Sequence, residues 1–106
     1  MEIKQNTMLY VTSHLPVPER LAALAEEAVE LAKAALKLRR VYDGTSPTPI
    51  REEDAIENLR EEIADVWLSI HSLGLDEEPF VSMYRKTMVE KAERWAERIS
   101  ERTTKR

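Results

Sequence analysis

Apolar residues recur along this chain at alternating intervals of three and four. From Leu21 the series runs through Leu24, Ala28, Leu31, Ala35, Leu38 and Tyr42. That spacing follows one face of an α-helix. Pro18 stands where a helix tolerates proline, in its first turn. The stretch Asp43-Gly44-Thr45-Ser46-Pro47-Thr48-Pro49 is turn chemistry throughout, so the helix is expected to end near Val41. A second series, Ile56, Leu59, Ile63, Val66, Ile70 and Leu73, repeats the pattern and meets a stop signal at Gly74. A third series comprises Val81, Tyr84, Met88, Ala92, Trp95 and Ile99. Asp76, Glu77, Glu78 and Pro79 read as its acidic opening turn. Residues 1–17 read as a lead-in segment with one short turn, and residues 100–106 as a frayed tail.

These elements predict an all-α protein in a single domain over 1–106, built as an antiparallel helical hairpin plus a third long helix. A connection of about a dozen residues makes antiparallel packing the natural outcome for the first two helices. The apolar stripes are narrow, and three such helices bury little. Heptad-like spacing therefore predicts four-helix-bundle cores formed between chains of a homo-oligomer. The first two helices also echo each other. A shift of 35 residues lays Leu24 on Leu59, Glu26-Glu27 on Glu61-Glu62 and Glu30 on Asp65.

Composition narrows the function classes. The formal net charge is −4, so no large basic field stands ready for nucleic acid. Cysteine is absent, which excludes disulfides, zinc–thiolate sites and thiol catalysis. No apolar run approaches the ~20 residues of a membrane span. The start, MEIKQNTMLYVTSHLP, lacks the basic and apolar blocks of a secretory signal, so a cytoplasmic location is expected. Only His14 and His71 are present, without Glu-x-x-His, which argues against a carboxylate di-iron bundle. No glycine-rich phosphate loop occurs.

The acids carry the chemistry. With Leu24 at zero, Glu27 lies roughly 60° and Glu30 roughly 120° to one side of the stripe. Glu62 and Asp65 stand in the same relation to Leu59. Antiparallel packing then brings Glu27, Glu30, Glu62 and Asp65 to a common edge. Two carboxylates ~4 Å apart at an effective dielectric near 20 repel by about 4 kcal/mol. Protons, basic side chains or a divalent cation can offset this, and an all-oxygen set suits Mg²⁺ best. Relative to Met88, Lys91 and Arg94 take the corresponding angles on the third helix, a placement that suits polyphosphate. The plainer alternatives are solvated acidic faces, and pairing of Lys91 and Arg94 with Glu90, Glu97 or Glu101. Trp67 is expected in core packing or a subunit interface, and Trp95 in the core.

Glu27-Ala28-Val29-Glu30 and Glu62-Ile63-Ala64-Asp65 form an ExxE pair followed by an ExxD pair. With LAEEAVELAKAALKL, ENLREEIADVWLSI and the later KAERWAER, the chain resembles the MazG-like all-α nucleoside triphosphate pyrophosphohydrolases over roughly residues 19–99. The resemblance implies hydrolysis of a nucleoside triphosphate to monophosphate and pyrophosphate, in nucleotide-pool house-cleaning. It implies Mg²⁺, with Mn²⁺ as substitute, on Glu27, Glu30, Glu62 and Asp65, and water activated by a carboxylate or by the ion. Lys91 and Arg94 would hold phosphates, and the chain would assemble as a homodimer or homotetramer. Phosphoribosyl-ATP pyrophosphohydrolase shares the acidic layout and ranks lower. A non-catalytic helical interaction or regulatory protein is the alternative from another class. The thirty-one residues between Glu30 and Glu62 exceed the family's usual gap, and the excess falls in Tyr42–Asp54.

Overall fold

The computed structural model describes residues 2–104. Met1 of the lead-in, and Lys105 and Arg106 of the tail, lie outside the described residues. Four helices follow one another: α1 Gln5–His14, α2 Val17–Asp43, α3 Glu52–Ser72 and α4 Phe80–Thr104. No strand occurs among the described residues, so the all-α class holds. The chain divides into two compact units, Met1–Gly74 and Leu75–Arg106.

In the first unit, the lead-in holds a ten-residue helix where a single turn was expected. Its part-buried apolar positions, Met8 and Val11, make a series too short to stand out in the sequence. Leu15 leaves the helix in an extended conformation, because the residue before a proline resists the helical region. Two residues later α2 begins, with Pro18 in its first turn as expected. It runs past Val41 to Asp43, where Gly44 takes φ 75° and its N–H bonds the Arg40 carbonyl. A left-handed cap of this kind is glycine's role. Asp43 Oδ1 accepts the Thr45 N–H at 3.0 Å and fixes the turn. Glu52, Glu53 and Asp54 fill the first turn of α3, where the helix dipole favours negative charge.

The pairing of α2 with α3 is antiparallel. Arg20, at the start of α2, donates to the carbonyl of Ser72 at the end of α3. Glu27 meets Asp65 midway. Tyr42, at the end of α2, donates to the Glu52 carboxylate at the start of α3, which raises the phenol's pKa. Among the described residues the buried apolar side chains are two alanines, Ala34 and Ala55, at 3% and 1% exposure. Their small side chains let the two backbones approach closely.

The contact face is rotated from the expected stripes. Leu24, Leu31 and Leu38 stay in it, but Ala28, Ala35 and Tyr42 are exposed while Glu27, Ala34 and Val41 turn inward. On α3, Ile63 is exposed, whereas Ala55, Glu62 and Val66 line the contact. Both helices thus turn their acid-bearing edge toward the partner.

In the second unit, α4 begins at Phe80, after the acidic residues rather than with them. Glu78 instead accepts the Ser82 hydroxyl at 2.6 Å, and Glu77 offers its carbonyl to the Val81 N–H. The helix continues to Thr104, so the segment expected to fray is helical over its described part. Trp95, expected in the core, is 69% exposed.

Candidate metal and carboxylate site

Glu27 projects from α2 one turn beyond Leu24, and Glu62 from α3 one turn beyond Leu59, so each follows a contact leucine into the helix–helix seam. Asp65 lies three residues after Glu62 on the same face. One carboxylate oxygen from each of Glu27, Glu62 and Asp65 lies within 4.8 Å of the others. Glu27 and Glu62 are half-buried, and Asp65 is exposed.

Crowding shifts Glu27. Its carboxyl is raised above the ordinary 4.5 by partial burial first, then by the negative charges of Asp65, Glu62 and Glu30, then by a hydrogen bond with Asp65. A proton held by Glu27 is one of the three ways to relieve the repulsion expected from the sequence. A second, basic side chains, is not used: among the described residues no Lys or Arg pairs with Glu27, Glu62 or Asp65. The third is a cation. The donors are all hard carboxylate oxygens, the set Mg²⁺ takes. The residues fit the ion.

Glu30 does not join the trio. It is exposed, and its Oε1 takes the Lys33 ammonium at 3.3 Å, although its charge still reaches Glu27. The rotation of the α2 face explains this. Turning Glu27 into the seam leaves Glu30, one turn on, at the outer margin.

Lys91 and Arg94 stand on α4, where they line a shallow depression together with Trp95 and Arg98. Neither pairs with Glu90, Glu97 or Glu101 among the described residues. Arg98 escaped the sequence reading. The signal was available, because it follows Lys91 by seven residues and so repeats its face. Arg20 was also missed. Its guanidinium donates to the Leu15 and Ser72 carbonyls, joining the α1–α2 corner to the end of α3. Nothing in local spacing marks a contact that spans the hairpin. No family model matches the chain, and no match was found among curated proteins or among solved structures.

Proposed function

We propose that the protein is a Mg²⁺-dependent hydrolase that cleaves nucleoside triphosphates to monophosphate and pyrophosphate. The observation that carries this reading is the convergence of Glu27, Glu62 and Asp65, with no Lys or Arg paired to them among the described residues. The resemblance of the ExxE and ExxD pairs to the MazG-like pyrophosphohydrolases supplies the reaction.

Glu27, Glu62 and Asp65 would hold the ion, with Glu30 beside them as a fourth carboxylate. The exposed Lys33–Glu30 pair is worth at most about 1 kcal/mol, too little to keep Glu30 from that role. Mg²⁺, or Mn²⁺ in its place, would supply the positive charge that offsets the charge of the triphosphate. Carboxylates next to the attacked phosphorus accept the proton of the incoming water. The water oxygen joins phosphorus, the α–β anhydride bond breaks, and pyrophosphate leaves. Lys91 and Arg94 keep the phosphate-binding role that the resemblance implies. Assembly into a homodimer or homotetramer with four-helix cores belongs to the same reading. It is supported by the exposed apolar side chains of the hairpin, among them Leu36, Ile63 and Trp67.

The test is direct. Purified protein with Mg²⁺ and a panel of nucleoside triphosphates should release pyrophosphate and monophosphate in equal amounts. Release of orthophosphate with diphosphate would contradict the assigned bond. Those same exposed apolar side chains favour a second reading, a non-catalytic helical interaction protein. It expects no product and no response to divalent ions.

A further inference from the structure

Beside the acidic trio the first unit carries a second feature, a cleft of about 420 Å³ where α1 crosses the open end of the hairpin. Met8, Val11 and Leu15 form one wall, Ala23 the floor, and Leu68 and Ser69 the opposite wall. Ala23 lies one turn before Glu27 on α2, and Ser69 lies one turn after Asp65 on α3. A helical turn rises about 5.4 Å, so cleft and carboxylates are consecutive stations along the same seam. The lining is almost wholly apolar. Its polar members are the hydroxyls of Thr7, Ser69 and Ser72 and the guanidinium of Arg20. Arg20 is spent on the Leu15 and Ser72 carbonyls, and the Ser72 hydroxyl on the Ser69 carbonyl at 2.7 Å. Among the described residues no carboxylate or side-chain amide lines the cleft.

We propose that this cleft takes the nucleoside end of the triphosphate and selects bases by apolar fit rather than by hydrogen bonds to the base edge. The inference rests on the pyrophosphohydrolase reading, which sets the triphosphate on Glu27, Glu62 and Asp65. A ligand held there extends along the seam in one of two directions, and this direction leads to an apolar cavity within the size range of small-molecule sites. A planar heterocycle fits between aliphatic walls. With Arg20 and Ser72 committed, few donors or acceptors remain to tell an amino group from a carbonyl on the base. A base methyl, in contrast, meets apolar surface. The substrates favoured are therefore nucleotides whose bases carry apolar substituents.

Paired substrates test this. Thymidine and deoxyuridine triphosphates differ by one methyl, and burying it should raise kcat/KM by about fourfold. Deoxycytidine and deoxyuridine triphosphates differ in the hydrogen-bonding edge and should lie within about threefold, since a site built to read that edge separates such pairs by about 10⁴. Ala23→Leu fills the floor and should raise KM at least about tenfold while keeping the Mg²⁺-induced rise in melting temperature. Val11→Thr, nearly the same shape, should raise KM by a smaller factor and lower the methyl preference. The proposal is overturned if the cytosine–uracil pair is separated more than the methyl pair, or if neither variant changes KM. Should the wild type hydrolyse nothing, the reaction assignment falls. Calorimetric titration of an α,β-methylene triphosphate analogue with Mg²⁺ then decides the cleft. Binding lost in Ala23→Leu sustains it, and no binding to the wild type overturns it.

Discussion

Carboxylate oxygens of Glu27 on α2 and Asp65 on α3 lie within 4.8 Å of each other across the seam of the hairpin. Partial burial and the charge of Asp65 raise the pKa of Glu27, which keeps a proton on it to higher pH than in the unfolded chain. The consequence for stability has a definite sign. The folded state binds the Glu27 proton more tightly than the unfolded state, so this contribution is largest in acid. It declines as pH rises from about 4.5 through the raised folded value, and is level above it. Glu27→Gln keeps an uncharged donor in place at every pH. The melting temperature of this variant, relative to wild type in metal-free buffer, should therefore climb as pH rises from about 4.5 through the raised folded pKa. A difference that stays constant with pH would count against the raised pKa of Glu27.

Divalent cations should reverse that trend. At neutral pH the trio is a cluster of negative charge without basic partners, and a ligand that binds only the folded chain stabilises it by mass action. Mg²⁺ at a hundred times its dissociation constant contributes about 2.7 kcal/mol, enough to raise the melting temperature by about ten degrees or more. Glu62→Gln and Asp65→Asn each remove one ligand charge and should abolish most of the rise, while helicity by circular dichroism stays intact. Both variants should also lose pyrophosphate release by two orders of magnitude or more, about 2.7 kcal/mol in the barrier. Mg²⁺ stabilisation that survives in Glu62→Gln would place the ion elsewhere.

The sequence made the acidic edge legible because it depends on helical phase and chain direction alone. Glu27 and Glu62 each sit three residues from a seam leucine, and a short connection makes the two helices antiparallel. Those facts suffice to bring Glu27, Glu62 and Asp65 together. What lay hidden was the exact phase of the contact. The apolar positions of α2 extend around much of its surface, through Leu21, Val29 and Leu36, all exposed. Apolar spacing then fixes the stripe only to within a residue. The choice fell to Ala34 and Ala55, whose value lies in being small, a property no hydrophobic count rewards. That rotation placed Glu27 in the seam and left Glu30 outside it. Helix α1 escaped for another reason: ten residues give too few turns for a period to emerge, and it is held by contacts remote in sequence.

Arg20 supplies the test of that remote contact. One side chain reaches the carbonyls of Leu15 and Ser72, and Arg20 itself is half-buried. A charged donor shared between two carbonyls contributes more than a neutral one, about 1.5–3 kcal/mol. Arg20→Met keeps the aliphatic stem and removes the donors. Chemical denaturation should report a loss in this range, and amide exchange should quicken in α1 before it quickens in the middle of α2. Equal protection of α1 in the variant would show that apolar contact alone holds it.

The last prediction concerns what covers the hairpin. Trp67 on α3 is 54% exposed, and Ile63, one turn before it, is 48% exposed. A helix face of this kind placed in water forfeits the burial that an indole and an isoleucine provide, about 1.5–3 kcal/mol for a large aliphatic side chain. Trp67 lies roughly 120–140° around α3 from Ala55 and Glu62, away from the seam with α2, and Ile63 lies at its margin. A second copy of the hairpin is the occupant that the proposed four-helix core requires. Sedimentation should therefore give a mass that is a multiple of the 12.3 kDa chain. Trp67→Glu sets a charge in the middle of that contact and should shift the protein toward the monomer, with a lower, concentration-independent melting temperature. Because Trp67 stands apart from the carboxylate seam, the Mg²⁺ response per chain should persist in the monomer. A wild-type protein that sediments at 12.3 kDa at micromolar concentration would remove the four-helix assembly from the reading and leave the carboxylate seam standing on its own.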